Sequence, residues 1–92
     1  NHPLMPKLAQ KLNIDVNQLI LSNGSDALFN LLLQCFAQDS DKHIMTHDYA
    51  FSSYAIQAQA LNIPVLSVAI KKNWQLDVKL LINACTRKTA LI

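Results

Sequence analysis

The sequence predicts an α/β fold: a mainly parallel sheet with helices on both faces, in three layers. Three observations point there. Short apolar runs recur at "QLILS" (18–22), "HIMTH" (43–47), "PVLSVAI" (64–70) and "TALI" (89–92), each parted from the next by helix-patterned residues. Such alternation favours βαβ units, whose crossover helices cover a parallel sheet. With 51% apolar and 15% charged residues and no polar tract, the composition is that of a packed core.

The elements follow in order. Pro3 is tolerated in a first helical turn, and Leu4, Leu8 and Leu12 recur every four residues, so 3–12 is expected as a short amphipathic helix stopped at Asn13. Residues 1–16 form a helical lead-in, and 17–92 a βαβαβαβ segment. Between the first two strands, Ala27 to Ala37 is apolar almost all round, broken only by Asn30 and Gln34, which predicts a helix covered on most sides. Phe51 to Leu61 is the next helix, ended by Asn62 and Pro64, and Asp77 opens a last one running to about Cys85. An apolar strand with nothing after it to cover it leads us to expect part of a larger protein. No repeat of 20 to 50 residues interrupts the pattern.

Composition also excludes functions. A net charge of +2, spread over isolated lysines and the pairs Lys71-Lys72 and Arg87-Lys88, is too dilute for a nucleic-acid footprint. No apolar run approaches the roughly 20 residues that cross a bilayer, so no membrane partner is expected. Cys35 and Cys85 have apolar neighbours within predicted helices and are expected as buried free thiols. His43 and His47 on a strand stand about 13 Å apart at roughly 3.3 Å per residue, too far for one metal. His2 has no partner visible in sequence. Neither a Ser-His-Asp arrangement nor a CxxC pair nor a Gly-rich P-loop is present.

The most informative residue is Gly24, the single glycine of the chain, where an average of about 7% predicts roughly six. It lies in "NGSD", between the end of a predicted strand and the start of a helix. In open α/β sheets this is the edge where ligands bind. The first turn of a helix exposes unpaired N–H groups and the positive end of its dipole, which together hold a phosphate well. Gly24 suits a tight turn with positive φ and allows an anion close to the backbone, and Ser25 adds a hydroxyl beside the N–H groups of Ser25 and Asp26. The alternative is that Ser25 or Asp26 is simply an N-cap and Gly24 a turn former. A second segment, "DYAFSSY" (48–54), follows the next strand and so reaches the same edge with Tyr49, Phe51 and Tyr54. An aromatic beside a phosphate turn suits a flat ring, with stacking worth about 0.5–1.5 kcal/mol beyond burial. Tyr54, one turn into its helix, reads better as core filling.

These segments together, "LILSNGSDALFNLLLQCFAQ", "HIMTHDYAFSSYAIQAQALNIPVLSVAI" and "WQLDVKLLINACTRKTALI", resemble the front of the large domain of fold-type-I pyridoxal-phosphate (PLP) aminotransferases. Among these they look most like the histidinol-phosphate-specific branch. The resemblance covers nearly all 92 residues: a "GNGSDE"-type turn, a "DPTFSMY"-type segment and a "DLDAL"-type helix stand in order. It implies that the backbone of Gly24, Ser25 and Asp26 binds the PLP phosphate and that Phe51 stacks on the pyridine ring. Tyr49 and Ala50 replace the usual Pro-Thr, and Ala27 replaces a frequent Glu. The family's cofactor-linked lysine, its pyridine-pairing aspartate and its substrate arginine match nothing in this sequence. Its seven lysines lack the family's Ser-x-x-Lys setting, so no catalytic residue is assigned, and Lys71, Lys72 and Lys88 are expected as solvated charge. The resemblance further implies a cytoplasmic homodimer moving an amino group between histidinol phosphate and 2-oxoglutarate, in histidine biosynthesis. Left open are another class I/II aminotransferase, a related PLP decarboxylase, and a non-enzymatic phosphate-binding α/β domain. A dinucleotide fingerprint is excluded, because G-x-G-x-x-G needs more than one glycine.

Overall fold

The computed structural model describes residues 3–92; His2 lies outside them. Helix α1 (Leu4–Leu12) leads to a single 3-10 turn at Val16–Gln18. Then come α2 (Ser25–Phe36), β1 (His43–His47), α3 (Ser53–Ala60), β2 (Val65–Val68), α4 (Val78–Ala84) and β3 (Thr89–Leu91). The fold is α/β, as the alternating pattern predicts. Strands β2, β1 and β3 form a parallel sheet in that order, with Ile44 opposite Val65 and His47 opposite Val68. On the other side His43 faces Thr89 and Ile44 faces Leu91, with a register shift between them. Because all three strands run the same way, the loops that leave them emerge at one edge.

One expected strand is not formed. Gln18 closes the 3-10 turn, Leu19 is extended, and residues 19–22 pair with no strand among the described residues. β-branched and apolar side chains favour an extended backbone, but a strand also needs a partner for its N–H and C=O groups, which local sequence cannot supply. The βαβαβαβ reading of 17–92 is corrected accordingly, to three strands within an α-β-α-β-α-β order.

Local chemistry accounts for most helix boundaries. Asn13 ends α1 and Asn62 follows α3, both in the left-handed conformation at φ 56° and 58° that Asn tolerates better than most residues. The N–H groups of Ile14 and Ile63 then bond back to the carbonyls of Ala9 and Ala58, at 3.0 and 2.8 Å. At α4, Asp77 takes an extended backbone and its carboxylate accepts the N–H of Leu80 at 3.1 Å. Losing this cap in Asp77→Ala should cost the full-length protein about 0.5–2 kcal/mol in urea unfolding, and Asp77→Ser should restore most of it.

The core is small. Leu33, Ala37, Ile44, Ala58 and Ile63 are buried together, drawn from α2 and the residue after it, β1, α3 and the residues after it. Phe29, Leu33 and Ala37 recur every four residues, which makes one helical stripe facing this cluster. The rest of α2 is open: Leu31, Leu32 and Phe36 are 41–55% exposed, so the expectation of a helix covered on most sides does not hold within these residues. Cys35, expected buried, is exposed for the same reason. It stands two residues from Leu33, roughly 200° round the helix at about 3.6 residues per turn, and so faces away from the sheet. Cys85, at the end of α4, is half-buried, its thiol 3.4 Å from the Leu81 carbonyl. A radius of gyration of 16.0 Å exceeds the roughly 12 Å of a compact chain this long, in keeping with so much open apolar surface.

Candidate cofactor site

Gly24 is the N-cap of α2, with φ 90° and ψ 164°. That region of backbone space is essentially restricted to glycine. An added Cβ would meet no atom within 4 Å, so it is the backbone angle, and not crowding, that calls for glycine here. No side chain caps the helix, which leaves the first-turn N–H groups without the usual Ser or Asp acceptor. The N-cap alternative for Ser25 or Asp26 is therefore not what forms: both residues stand inside the first turn. The turn has open space in front of a glycine, uncapped amides and a helix N-terminus, and these suit a phosphate dianion.

The second segment meets the first. After β1, the N–H of Asp48 bonds the Val68 carbonyl at 2.8 Å, carrying the β1–β2 pairing one residue on, and the Asp48 carboxylate accepts the hydroxyl of Ser67. Tyr49 turns the chain at φ 68°. Phe51 follows ahead of α3 with its ring 61% exposed, free to take a flat partner on one face. Two links join this segment to α2. The Ser53 hydroxyl donates to the Asp26 carboxylate at 3.2 Å. Tyr54 lies between Phe51 and Phe29, with ring centroids 5.8 and 5.0 Å away. Tyr54 thus bridges the two segments with Phe51 edge-on against it, but at 39% exposed it does not fill the core as expected, because the rings it packs on lie at the rim of the buried cluster.

Other candidates separate. Tyr49 turns toward Trp74, centroids 5.1 Å apart and edge-on, with both rings largely exposed. His43 and His47 take different partners: Nε2 of His43 is 2.9 Å from the Thr89 hydroxyl, and Nδ1 of His47 is 2.7 Å from the Asp48 carbonyl. Lys88 pairs with Asp41 at 3.3 Å on the open surface, an ion pair of little energetic weight, and Lys71 and Lys72 are exposed. Sequence reasoning passed over Ser53, Ser67 and Trp74. Their partners lie 19 to 27 residues away, and no spacing rule for helix or strand spans such gaps.

The family described as aminotransferase class I and II matches residues 3–92. Histidinol-phosphate aminotransferase 2 of Legionella pneumophila (strain Lens) is 59% identical over 92 residues, all of this chain and 25% of that protein. The protein of the same name from Haemophilus influenzae is 36% identical over 89 residues, covering 97% of this chain and 24% of its own length. Histidinol-phosphate aminotransferase 1 of Mannheimia succiniciproducens is 34% identical over a stretch of the same length. The chain spans about a quarter of the length of the curated relatives it matches.

Proposed function

The chain belongs to the class I and II aminotransferases, and from that premise we propose that the whole protein is a PLP-dependent histidinol-phosphate aminotransferase. It moves an amino group between histidinol phosphate and 2-oxoglutarate, works as a homodimer and acts in the cytoplasm. The observation that carries this reading is 59% identity, across every residue of the chain, to a protein named for that activity.

When bound, PLP supplies the electron sink that amino transfer requires, and the protein supplies binding and orientation. In this reading the backbone N–H groups of Gly24, Ser25 and Asp26 donate to the cofactor phosphate, and the positive end of α2 offsets part of its charge. Phe51 offers one ring face to the pyridine, while its contact with Tyr54 limits how far it can swing. Both roles fix the cofactor; neither moves a proton.

The test is transamination by the full-length protein with histidinol phosphate as amino donor. Strong preference for histidinol phosphate over aromatic and acidic amino acids is the expected result, and equal or better turnover of those amino acids overturns the substrate assignment. Phe51 gives a separate check. Because its ring is mostly exposed, Phe51→Ala should leave apo-protein stability within about 0.5 kcal/mol. It should weaken PLP about three- to tenfold in an absorbance titration, the loss expected for one aromatic stack. Phe51→Tyr should keep the affinity.

A further inference from the structure

Resting on the phosphate reading above, we infer that Ser53 and Gln57 form a tether that holds the Asp26 carboxylate away from the first-turn amides of α2, keeping them free for the cofactor phosphate. Asp26 poses a problem for that site. It stands in the first turn of α2, where a carboxylate is drawn to the same N–H groups and the same dipole as a phosphate. Left loose, it would compete for the donors and repel a dianion.

The structure directs it elsewhere. Gln57 Nε2 donates to Ser53 Oγ at 2.8 Å, and Ser53 Oγ lies 3.2 Å from Asp26 Oδ1. The order of donors makes the chain one-directional. The Gln57 amide can only give a proton here, so it occupies a lone pair of the hydroxyl and leaves its hydrogen for the acceptor-only carboxylate. Gln57 sits one turn after Ser53 on α3, so the rigid helix fixes where the hydroxyl stands. Among the described residues the side-chain hydrogen bond of Asp26 runs to Ser53 of α3 and not to the first turn of its own helix. Ser53 and Gln57 are thus positioning residues that act through Asp26.

The experiment compares PLP with pyridoxal, which lacks the phosphate, on the full-length enzyme by equilibrium titration. Five variants are used: Ser53→Ala, Ser53→Thr, Asp26→Asn, Asp26→Asn combined with Ser53→Ala, and Gly24→Val. Ser53→Ala is expected to weaken PLP about three- to tenfold, the size of one net hydrogen bond, with pyridoxal unchanged. Ser53→Thr, which keeps the hydroxyl, restores affinity. With the competing charge removed by Asp26→Asn, Ser53→Ala has no further effect, a coupling the double-mutant cycle reads directly. Equal weakening of PLP and pyridoxal by Ser53→Ala overturns the tether in favour of a general packing role. If Ser53→Ala leaves PLP untouched while Gly24→Val weakens it, the tether is wrong and the phosphate turn stands. If neither variant alters the preference for PLP over pyridoxal, the phosphate turn fails, and the tether with it. The apo-protein thermal midpoint, read on every variant, separates these results from misfolding.

Discussion

Gly24→Val in the full-length protein is expected to weaken PLP binding by at least tenfold, with a smaller loss of apo-protein stability. The reason lies in the backbone. At φ 90° and ψ 164°, Gly24 occupies a region that a β-branched residue enters only at a cost of about 1–3 kcal/mol. There is room for the new side chain, since nothing lies within 4 Å of its Cβ position, so relief comes by rotating the turn. Rotation re-aims the first N–H groups of α2, and a phosphate that needs several of them at once loses its fit. Absorbance titration with PLP measures the affinity and urea unfolding of the apo-protein measures the strain. Unchanged cofactor affinity would sink the assignment of Gly24, Ser25 and Asp26 to the phosphate.

Leu33→Ala is expected to destabilise the full-length protein by about 2–5 kcal/mol, the largest effect of any single truncation in this segment. Leu33 is fully buried, and its neighbours in the core cluster are Ala37 and Ala58 along with Ile44 and Ile63. The two alanines cannot extend into the space, and the larger neighbours are held by their own packing, so much of the cavity persists. Denaturant unfolding followed by tryptophan fluorescence and by circular dichroism checks the value. A loss under about 1 kcal/mol would mean that the contact of α2 with the sheet is held elsewhere. Because α2 also carries the proposed phosphate turn, the variant should weaken PLP as well, and adding PLP in excess should recover part of the lost stability by mass action.

Some features needed only nearest neighbours in the chain. The helix ends at Asn13 and Asn62, the Asp77 cap and the glycine at the head of α2 are each settled within about four residues, because caps and turns satisfy backbone groups locally. The α/β class was legible for a similar reason: a period of 3.6 alternating with short apolar runs has few packed solutions. Gly24, Ser25, Asp26 and Phe51 could be nominated as a site because strand-to-helix turns in a parallel sheet all open at one edge.

Tertiary structure decided what depends on partners distant in sequence. Residues 19–22 have the composition of a strand, yet no strand among the described residues pairs with them, since pairing is a property of two segments. Cys35 and Leu31 look as apolar in sequence as Leu33 does, but only the stripe of Phe29, Leu33 and Ala37 meets the core. Asp26 and Ser53 could each be read as a capping residue of its own helix; the fold instead binds one to the other across 27 positions. Local sequence thus determined which backbone groups needed partners and where helices could begin and end. Which face is buried, which strand is paired and which carboxylate is tethered were fixed only when distant segments met, because each of those free energies belongs to a contact and not to a residue.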